Sequence, residues 1–501
     1  MSYIPYLCKS MKKYFSLFVI VVSLPFILWY VCGILPTFDD YTTLQSPWWV
    51  QIADPGYFFP DSVRRPFDAL FGGIVGWMPA LFPTLNHVVI ILGHTANALL
   101  VFALCRRLQL GITATNIATL FFFFSPATLG ATLACDGLNQ TFAQLWGLLA
   151  LWAYTSKNTN DSPTCRGRYV WLFCVVMAVL SKENGLAWAV VPPIFSFAFR
   201  LISLRQTVRD VGKGILLAMA YFVIFYLLIH SGMVGIEYPE EYSEATFMNH
   251  LKDLVQLLAY TWVPLDYMSA VYAPTRSLAI VAITALMSLP FLLLLVSRLW
   301  QTVKAGCPHV RCLLLLVVCF FILVSPHLVT VVSIMHNYAA LSIAAIIVAS
   351  LLTPPAAVPS FSSEVLHSSL FAIFLAAALF TDVHHYVAAR ESGLLGKRLA
   401  MQAIESAKEP VQKALVISID DPEEPRYSNF CVRPVDAFGW GLSVRHYTGY
   451  TWKTAICEEK FDHYDPVQVK AIADSALHAG YDAVWAVGHK ADSLQVIALN
   501  H

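Results

Sequence analysis

Long apolar runs fill roughly the first 390 positions of the chain, and short polar stretches separate them. A run of about 20 apolar residues is long enough to cross the hydrocarbon core of a bilayer as a helix. Because a helix satisfies its own backbone hydrogen bonds, the runs predict an all-α polytopic membrane protein. About eleven spans are expected, and they lie near 14–36, 86–105, 111–132, 138–155, 214–231, 277–297, 312–331, 338–352 and 365–387, with two short helices within 169–200.

The basic residues divide the connecting loops into two sets. Lys and Arg concentrate in cytoplasmic loops, so an even number of spans joins each adjacent pair of basic clusters. This parity predicts a hairpin of two short, tilted helices around Ser181–Gly185, an internal N-terminus and an external C-terminus. The clusters are Lys9, Lys12 and Lys13; Arg106 and Arg107; Lys157, Arg166 and Arg168; Arg200, Arg205, Arg209 and Lys213; and Arg298, Lys304 and Arg311.

The polar pattern changes near residue 397. Residues 1–390 form the predicted transmembrane domain, with an outer loop at 37–85, and residues 397–501 form a predicted small α/β extracytoplasmic domain. Its cysteines, Cys431 and Cys457, are equally compatible with a disulfide and with two unpaired buried thiols. Its expected elements are a strand at Ala414–Ile419, a helix at Val467–Ala479 and a second strand at Ala483–Val487, before Leu494–Leu499.

Composition supports the membrane assignment. Charged residues make up 13% of the 501 positions and hydrophobic ones 57%, whereas soluble domains average roughly 25% charged. The first apolar run is longer than the core of a signal peptide, which predicts a retained first helix. The net charge of +0 gives no electrostatic footprint for nucleic acid. No CxxC or other metal-ligand spacing is present, so neither a metal nor another cofactor is expected.

The loop Phe38–Pro66 combines acids, aromatic residues and bases at a membrane edge. Asp39 and Asp40 suit a general base for group transfer, and a solvated helix end is the structural alternative. Arg64 and Arg65 suit a phosphate, because planar guanidinium groups bind its oxygens in pairs. Ion pairs with nearby acids are the alternative for them.

A second group of candidates follows the predicted hairpin. Burying either charge of Lys182 and Glu183 in a membrane costs roughly 2.5–3.5 kcal/mol, so the two either neutralise each other or line a wet site. In the second case Lys182 would contact a lipid phosphate. Asp136 and His336 are further candidates on the outer face. His87 and His94 are too far apart to chelate one metal readily, and hydrogen bonds between helices are favoured for them.

The order of these motifs resembles GT-C-type membrane glycosyltransferases, most closely protein O-mannosyltransferases and their tetratricopeptide-bearing relatives. The shared run is RPFDALFGGIVGWMPALFPTLNHVVIILGHTANALLVFALCRRL, preceded by the acidic pair and followed by FFFFSPATLGATL and SKENG. The resemblance covers roughly residues 35–190. There are two departures: Asn337-Tyr338 stands where many relatives have Arg-Tyr, and the α/β domain replaces the tetratricopeptide repeats.

The resemblance implies transfer of a sugar from a polyprenyl-phosphate donor to a glycan, lipid or protein acceptor at the extracytoplasmic face. Asp40 would deprotonate the acceptor, with inversion, and Asp39 would orient it. The donor phosphate and substrate would contact Arg64, Arg65, Lys182, Glu183, Asp136, His336 and Tyr338. A bacterial inner (plasma) membrane is the preferred location because the chain is compact with a short N-terminus. The alternatives are a non-enzymatic flippase for lipid-linked glycans and a scaffold for polysaccharide assembly.

Overall fold

The computed structural model describes most of the helical region and most of the C-terminal region. The described residues are 12–37, 40–41, 66–67, 78–156, 169–230, 247–265, 274–328, 334–353, 361–419, 438–439, 441–449, 451–461, 465–490 and 493–499.

Within the described residues, thirteen α-helices precede the first strand. They are α1 (Phe15–Val31), α2 (Thr84–Arg107), α3 (Ile112–Phe123), α4 (Leu129–Thr132), α5 (Leu138–Ser156), α6 (Val170–Ser181), α7 (Val191–Ala198), α8 (Leu204–His230), α9 (Phe247–Trp262), α10 (Pro274–Ala305), α11 (Cys307–Val324), α12 (Tyr338–Leu352) and α13 (Phe361–Ser406).

Six helices in the described part of the chain are long and apolar enough to cross a membrane, and a bent pair raises this number to seven. The bent pair joins α3 to the segment Pro126–Thr132 at an angle of 47°. Proline lacks a backbone donor and disfavours helical conformation in the residue before it, and Ser125 is extended here, with ψ 128°. The coarse expectation of a helical chain with several membrane-compatible spans is therefore confirmed.

The segment around Ser181–Gly185 joins two short helices, α6 and α7, through a 3₁₀ turn at Glu183–Ala189. The turn packs closely against the backbone of α6. A Cβ atom at Gly185 would lie 2.4 Å from the carbonyl carbon of Ala178, so only glycine allows this approach. The predicted pair of short helices is therefore present.

The longest helix, α13, joins the helical region to the C-terminal sheet. Its 46 residues extend about 69 Å at about 1.5 Å per residue, more than twice the roughly 30 Å of a bilayer core. Leu399 and Ala403, near its end, are buried in the core of the sheet. The predicted domain boundary at 390–397 thus falls inside one continuous helix.

The described part of the C-terminal region contains a four-stranded sheet in the order β2-β1-β3-β4. Strand β1 pairs in parallel with β2 and β3, and β4 is antiparallel to β3. We call these strands and their two helices the sheet unit. Its elements are β1 (Lys413–Ile419), α14 (Leu442–Tyr447), β2 (Ala455–Phe461), α15 (Pro466–His478), β3 (Ala483–Lys490) and β4 (Ser493–Ala498).

The two predicted strands and the predicted helix of this region are present as β1, β3 and α15, whereas β2 and β4 were not predicted. Cys431 lies outside the described residues, so its pairing with the exposed Cys457 stays open.

Two contacts show how α1 and α13 run relative to each other. Lys12, just before α1, forms an ion pair with Glu364 near the start of α13. At the other end, a Cβ atom at Gly393 would lie 2.5 Å from the carbonyl oxygen of Leu35. The two helices therefore run in the same direction, and the segment after α1 lies at the end of the bundle that carries the sheet unit.

Candidate functional site

Asp40, in the segment after α1, accepts three backbone hydrogen bonds. Its side chain is buried, with 4% exposed. The backbone amide of Thr37 donates to Oδ2 at 3.0 Å. The amides of Cys135 and Asp136 both donate to Oδ1, at 2.5 Å and 3.3 Å. Asp40 therefore joins its own segment to the short 3₁₀ turn Cys135–Gly137 that leads into α5.

The turn itself is fixed by close backbone packing. A Cβ atom at Gly137 would lie 2.1 Å from the carbonyl oxygen of Ala131, so a larger residue cannot be placed there without a shift. Asn86 of α2 donates from Nδ2 to the Cys135 carbonyl oxygen at 3.3 Å. The two amides that hold Asp40 are thus held in place by α2 and α4.

The environment of Asp40 favours its protonated form. Burial and the negative charge of Asp136 raise the pKa of Asp40 to about 8, against the opposing effect of the three backbone amides. The neighbouring thiol is affected in the same direction, because burial and the two carboxylates raise the pKa of Cys135 well above its usual value. Asp40 therefore titrates near neutral pH, whereas the Cys135 thiol stays protonated and is a poor nucleophile.

Lys182 lies beside the start of α5. Its ammonium group donates to Oδ1 of Asn139 at 3.2 Å, in the first turn of the helix that follows the Asp40-bound turn. The amino end of a 19-residue helix carries unsatisfied N–H groups and a positive potential, which favours anions. An acidic and a cationic group therefore lie near the same helix end.

Asn184 extends this polar group toward α11. It donates to Oε1 of Gln140 at 3.0 Å and contacts Nε2 of His327 at 3.1 Å. The ring of His327 stacks on that of His336, with 4.3 Å between the centroids. Carboxamides and imidazoles are groups that bind sugar and phosphate oxygens by hydrogen bonds. We call Asp40, Asp136, Lys182, Asn184, His327 and His336 the polar cluster.

The side chain of Tyr338 bonds to α2. It is fully buried, and its hydroxyl is 2.7 Å from Nδ1 of His94 and accepts from Nδ2 of Asn97 at 3.1 Å. The other imidazole nitrogen of His94 contacts the Phe123 carbonyl oxygen at 3.1 Å. These bonds tie α2 to α3 and α12, which confirms the expected hydrogen bonding of His94 between helices.

The remaining predicted site residues lie partly outside and partly inside the described residues. Asp39, Arg64 and Arg65 lie outside the described residues. Glu183 is described and half-buried at the start of the 3₁₀ turn after α6. Sequence reasoning assigned no role to Asn139 or Asn184, although both fall inside polar interruptions of apolar runs. That position in the pattern was the available signal for them.

No group of three His, Cys, Asp or Glu side chains is placed to hold a metal ion within the described residues. No protein-family model matches the chain, and no curated protein matches it either.

Proposed function

We propose that the chain is a membrane glycosyltransferase that uses a polyprenyl-phosphate sugar as donor. The observation that supports this proposal best is Asp40, a buried carboxyl with a pKa of about 8, bound to the turn before α5. A general base works best when its pKa is close to the operating pH. Lys182 at the same end of α5 supplies a cation for a phosphate leaving group.

In the proposed reaction, Asp40 removes the proton of an acceptor hydroxyl, and the resulting oxygen attacks the anomeric carbon with inversion. The bond from that carbon to the phosphate oxygen breaks, and the polyprenyl phosphate leaves with the electron pair. Lys182 stabilises the charge that grows on this phosphate. Arg64 and Arg65 would add to this stabilisation, and Asp39 would orient the acceptor. The proposed acceptor class is a glycan, lipid or protein hydroxyl.

The proposal includes a topology of about eleven spans in the plasma membrane of a bacterium. In this arrangement the short helices α1, α6 and α7 also cross the membrane, the last two tilted as a hairpin. Asp40 and the sheet unit, as a small α/β domain, would both face the outside. The contact of Leu35 with Gly393 supports the shared side.

The test is transfer from a purified polyprenyl-phosphate sugar by the purified protein in lipid bilayers. Asp40→Asn is expected to lower the rate about 100-fold or more, since a positioned general base contributes roughly 10²–10⁴-fold. Binding of the donor should persist, because an asparagine side chain is close in shape to that of aspartate and Lys182 is untouched.

A matched control is Asp382→Asn, the same change at another buried carboxyl, which lies in α13 outside the polar cluster. This control should retain full transfer. Full transfer by Asp40→Asn would exclude Asp40 as the base. Donor binding without any transfer by the unmodified protein would instead favour the flippase or scaffold alternatives.

A further inference from the structure

The sheet unit contacts the segment that carries Asp40. The hydroxyl of Tyr41, the residue after Asp40, donates to the hydroxyl of Tyr447 at 3.2 Å. Two aromatic contacts accompany this bond: the Tyr41 ring lies 5.9 Å from that of His446 and 6.4 Å from that of Tyr447. Tyr41 is 1% exposed, so these contacts enclose its side chain.

A second contact joins the same helix of the sheet unit to the start of α2. The ring of His446 packs edge-on against Phe82, with 5.8 Å between centroids. Phe82 lies two positions before α2, the helix that supplies Asn86 to the Asp40-bound turn. The short helix α14 thus contacts both Tyr41, next to Asp40, and Phe82, just before the helix that supports the Cys135–Gly137 turn.

Helix α14 is itself fixed to the sheet. Val444 is fully buried in the same core cluster as Trp485 of β3 and Leu399 of α13. Gly441, which precedes the helix, has φ 99°, and a Cβ atom there would lie 2.0 Å from the carbonyl oxygen of Thr454. The position of α14 is therefore set by its packing on the sheet and not by its contact with Tyr41.

The placement of Tyr41 fixes that of Asp40, because the two residues are adjacent in one short turn. The amide of Asp40 donates to the Thr37 carbonyl oxygen at 2.8 Å, and the carboxylate accepts from the Thr37 amide. On the other side, the backbone of Leu35 packs against Gly393 of α13. Leu35 and Tyr41 are therefore contacted by α13 and α14, which enter or belong to the sheet unit.

We propose that His446 and Tyr447 are positioning residues, which hold the Asp40 carboxylate against the amides of Cys135 and Asp136 by fixing Tyr41. The sheet unit is then a working part of the candidate site. The activity measured below rests on the proposed function of Asp40, whereas the exchange measurement does not.

The decisive measurement is amide hydrogen exchange of the full-length protein in lipid bilayers, in peptides that cover residues 133–138. Tyr447→Ala removes the hydroxyl and ring contacts, and His446→Ala removes the packing on Tyr41 and Phe82. Each is expected to speed exchange of the Cys135 and Asp136 amides about fivefold to 30-fold. Losing one or two such contacts raises the fraction of molecules in which this turn is open by a factor in that range. Asp40→Ala gives the full effect of losing the acceptor.

Two controls separate positioning from general loosening. Exchange in β1 and β3 should stay at the level of the unmodified protein, which shows that the sheet is intact. Tyr481→Ala removes a tyrosine of the same unit that packs against the other side of the sheet, and it should leave residues 133–138 unchanged. Tyr447→Phe keeps the ring, so it should restore most of the protection.

Unchanged exchange at residues 133–138 in both Tyr447→Ala and His446→Ala would overturn the proposal. Faster exchange in β1 and β3 to the same degree would overturn it too, because the effect would then be unfolding of the sheet. In the transfer assay, Tyr447→Ala should lower kcat with an unchanged KM for the donor. If the unmodified protein transfers no sugar, the proposed function fails while the exchange result still decides the positioning role.

Discussion

At the scale of single residues, the proposed chemistry depends on two neighbouring carboxyls, Asp40 and Asp136. Asp40 is buried and accepts three backbone hydrogen bonds, which favour its charged form. Burial and the charge of Asp136 oppose this and prevail, so its pKa is raised to about 8. A carboxyl in this balance changes its protonation state near neutral pH, which an exposed aspartate does not.

The pH dependence of transfer follows from this pKa. Asp40 acts as a base only when it is charged, so the rate should rise with pH and level off above about pH 8. Asp136→Asn removes a like charge, which lowers the pKa of Asp40 and moves the rise to lower pH. The measurement is the rate of transfer at saturating donor across pH 5 to pH 9.5 for both proteins.

A shift of the profile to higher pH in Asp136→Asn would contradict this assignment, because removing a negative charge cannot stabilise the protonated form of its neighbour. Glu405→Gln is a matched control, since it removes an acid near the end of α13 that takes no part in the polar cluster. It should leave the midpoint unchanged.

Asp40 could be selected as a candidate from the sequence, but its hydrogen-bond partners could not be predicted. An acidic pair after an apolar span, in a loop with aromatic and basic residues, is a local pattern. The turn that binds Asp40 is 95 positions away in sequence, and single-sequence patterns do not report such pairings. The same holds for Tyr447, 406 positions from Tyr41, which lies in a stretch without a distinctive motif.

At the scale of elements, the helices follow from apolar length, because that signal is contained in each segment. Their ends follow less well. Helix α8 begins at Leu204, ten positions before the span expected at 214–231. Its first turns carry Asp210, which accepts from Lys213 at 2.7 Å and from the Tyr154 hydroxyl at 2.8 Å. These polar contacts extend the helix beyond its apolar part.

Strand β2 was not predicted, for a related reason. Its sequence AICEEKF carries three consecutive charged residues and lacks the apolar character of the strands beside it. The sheet order places it at an edge, where charged side chains protect unpaired backbone groups from association. Its strand character depends on pairing with β1, which is a property of the assembled sheet.

Helix α13 carries an uncompensated polar group. Asp382 is 5% exposed, and its buried Oδ1 has no hydrogen-bond partner among the described residues. It lines a small pocket together with Thr128, Thr132 and Tyr386. A buried carboxyl oxygen without a partner costs roughly 1–3 kcal/mol.

Replacing Asp382 by leucine should therefore stabilise the fold. Asp382→Leu keeps a side chain of similar reach and removes the unpartnered oxygen, so the free energy of unfolding should rise by about 1–3 kcal/mol. Thermal unfolding in detergent measures the change. Asp382→Asn keeps the polar atoms and should give a smaller gain. A lower unfolding temperature for Asp382→Leu would show that the pocket satisfies the carboxyl, for instance through bound water.

At the scale of the whole molecule, α13 shows which end of the helical bundle lies next to the sheet unit. One end of this helix pairs with Lys12 before α1, and the other end enters the core of the sheet. The contact between Tyr41 and Tyr447 lies at the second end. If α1 and α13 cross a membrane, they cross it in the same sense, and the polar cluster faces the compartment that contains the sheet unit.

The side of the membrane is tested with a natural cysteine. Cys457 is exposed on β2, so in intact cells a membrane-impermeant maleimide should label it if the sheet unit is outside. Cys457→Ser should remove one equivalent of label. Lys304→Cys in that background introduces an exposed thiol at the end of α10, in a basic cluster expected inside. It should react only after the membrane is permeabilised. Labelling of Cys457 that also requires permeabilisation would place the sheet unit, and Asp40 with it, in the cytoplasm, and would contradict transfer from an externally presented donor.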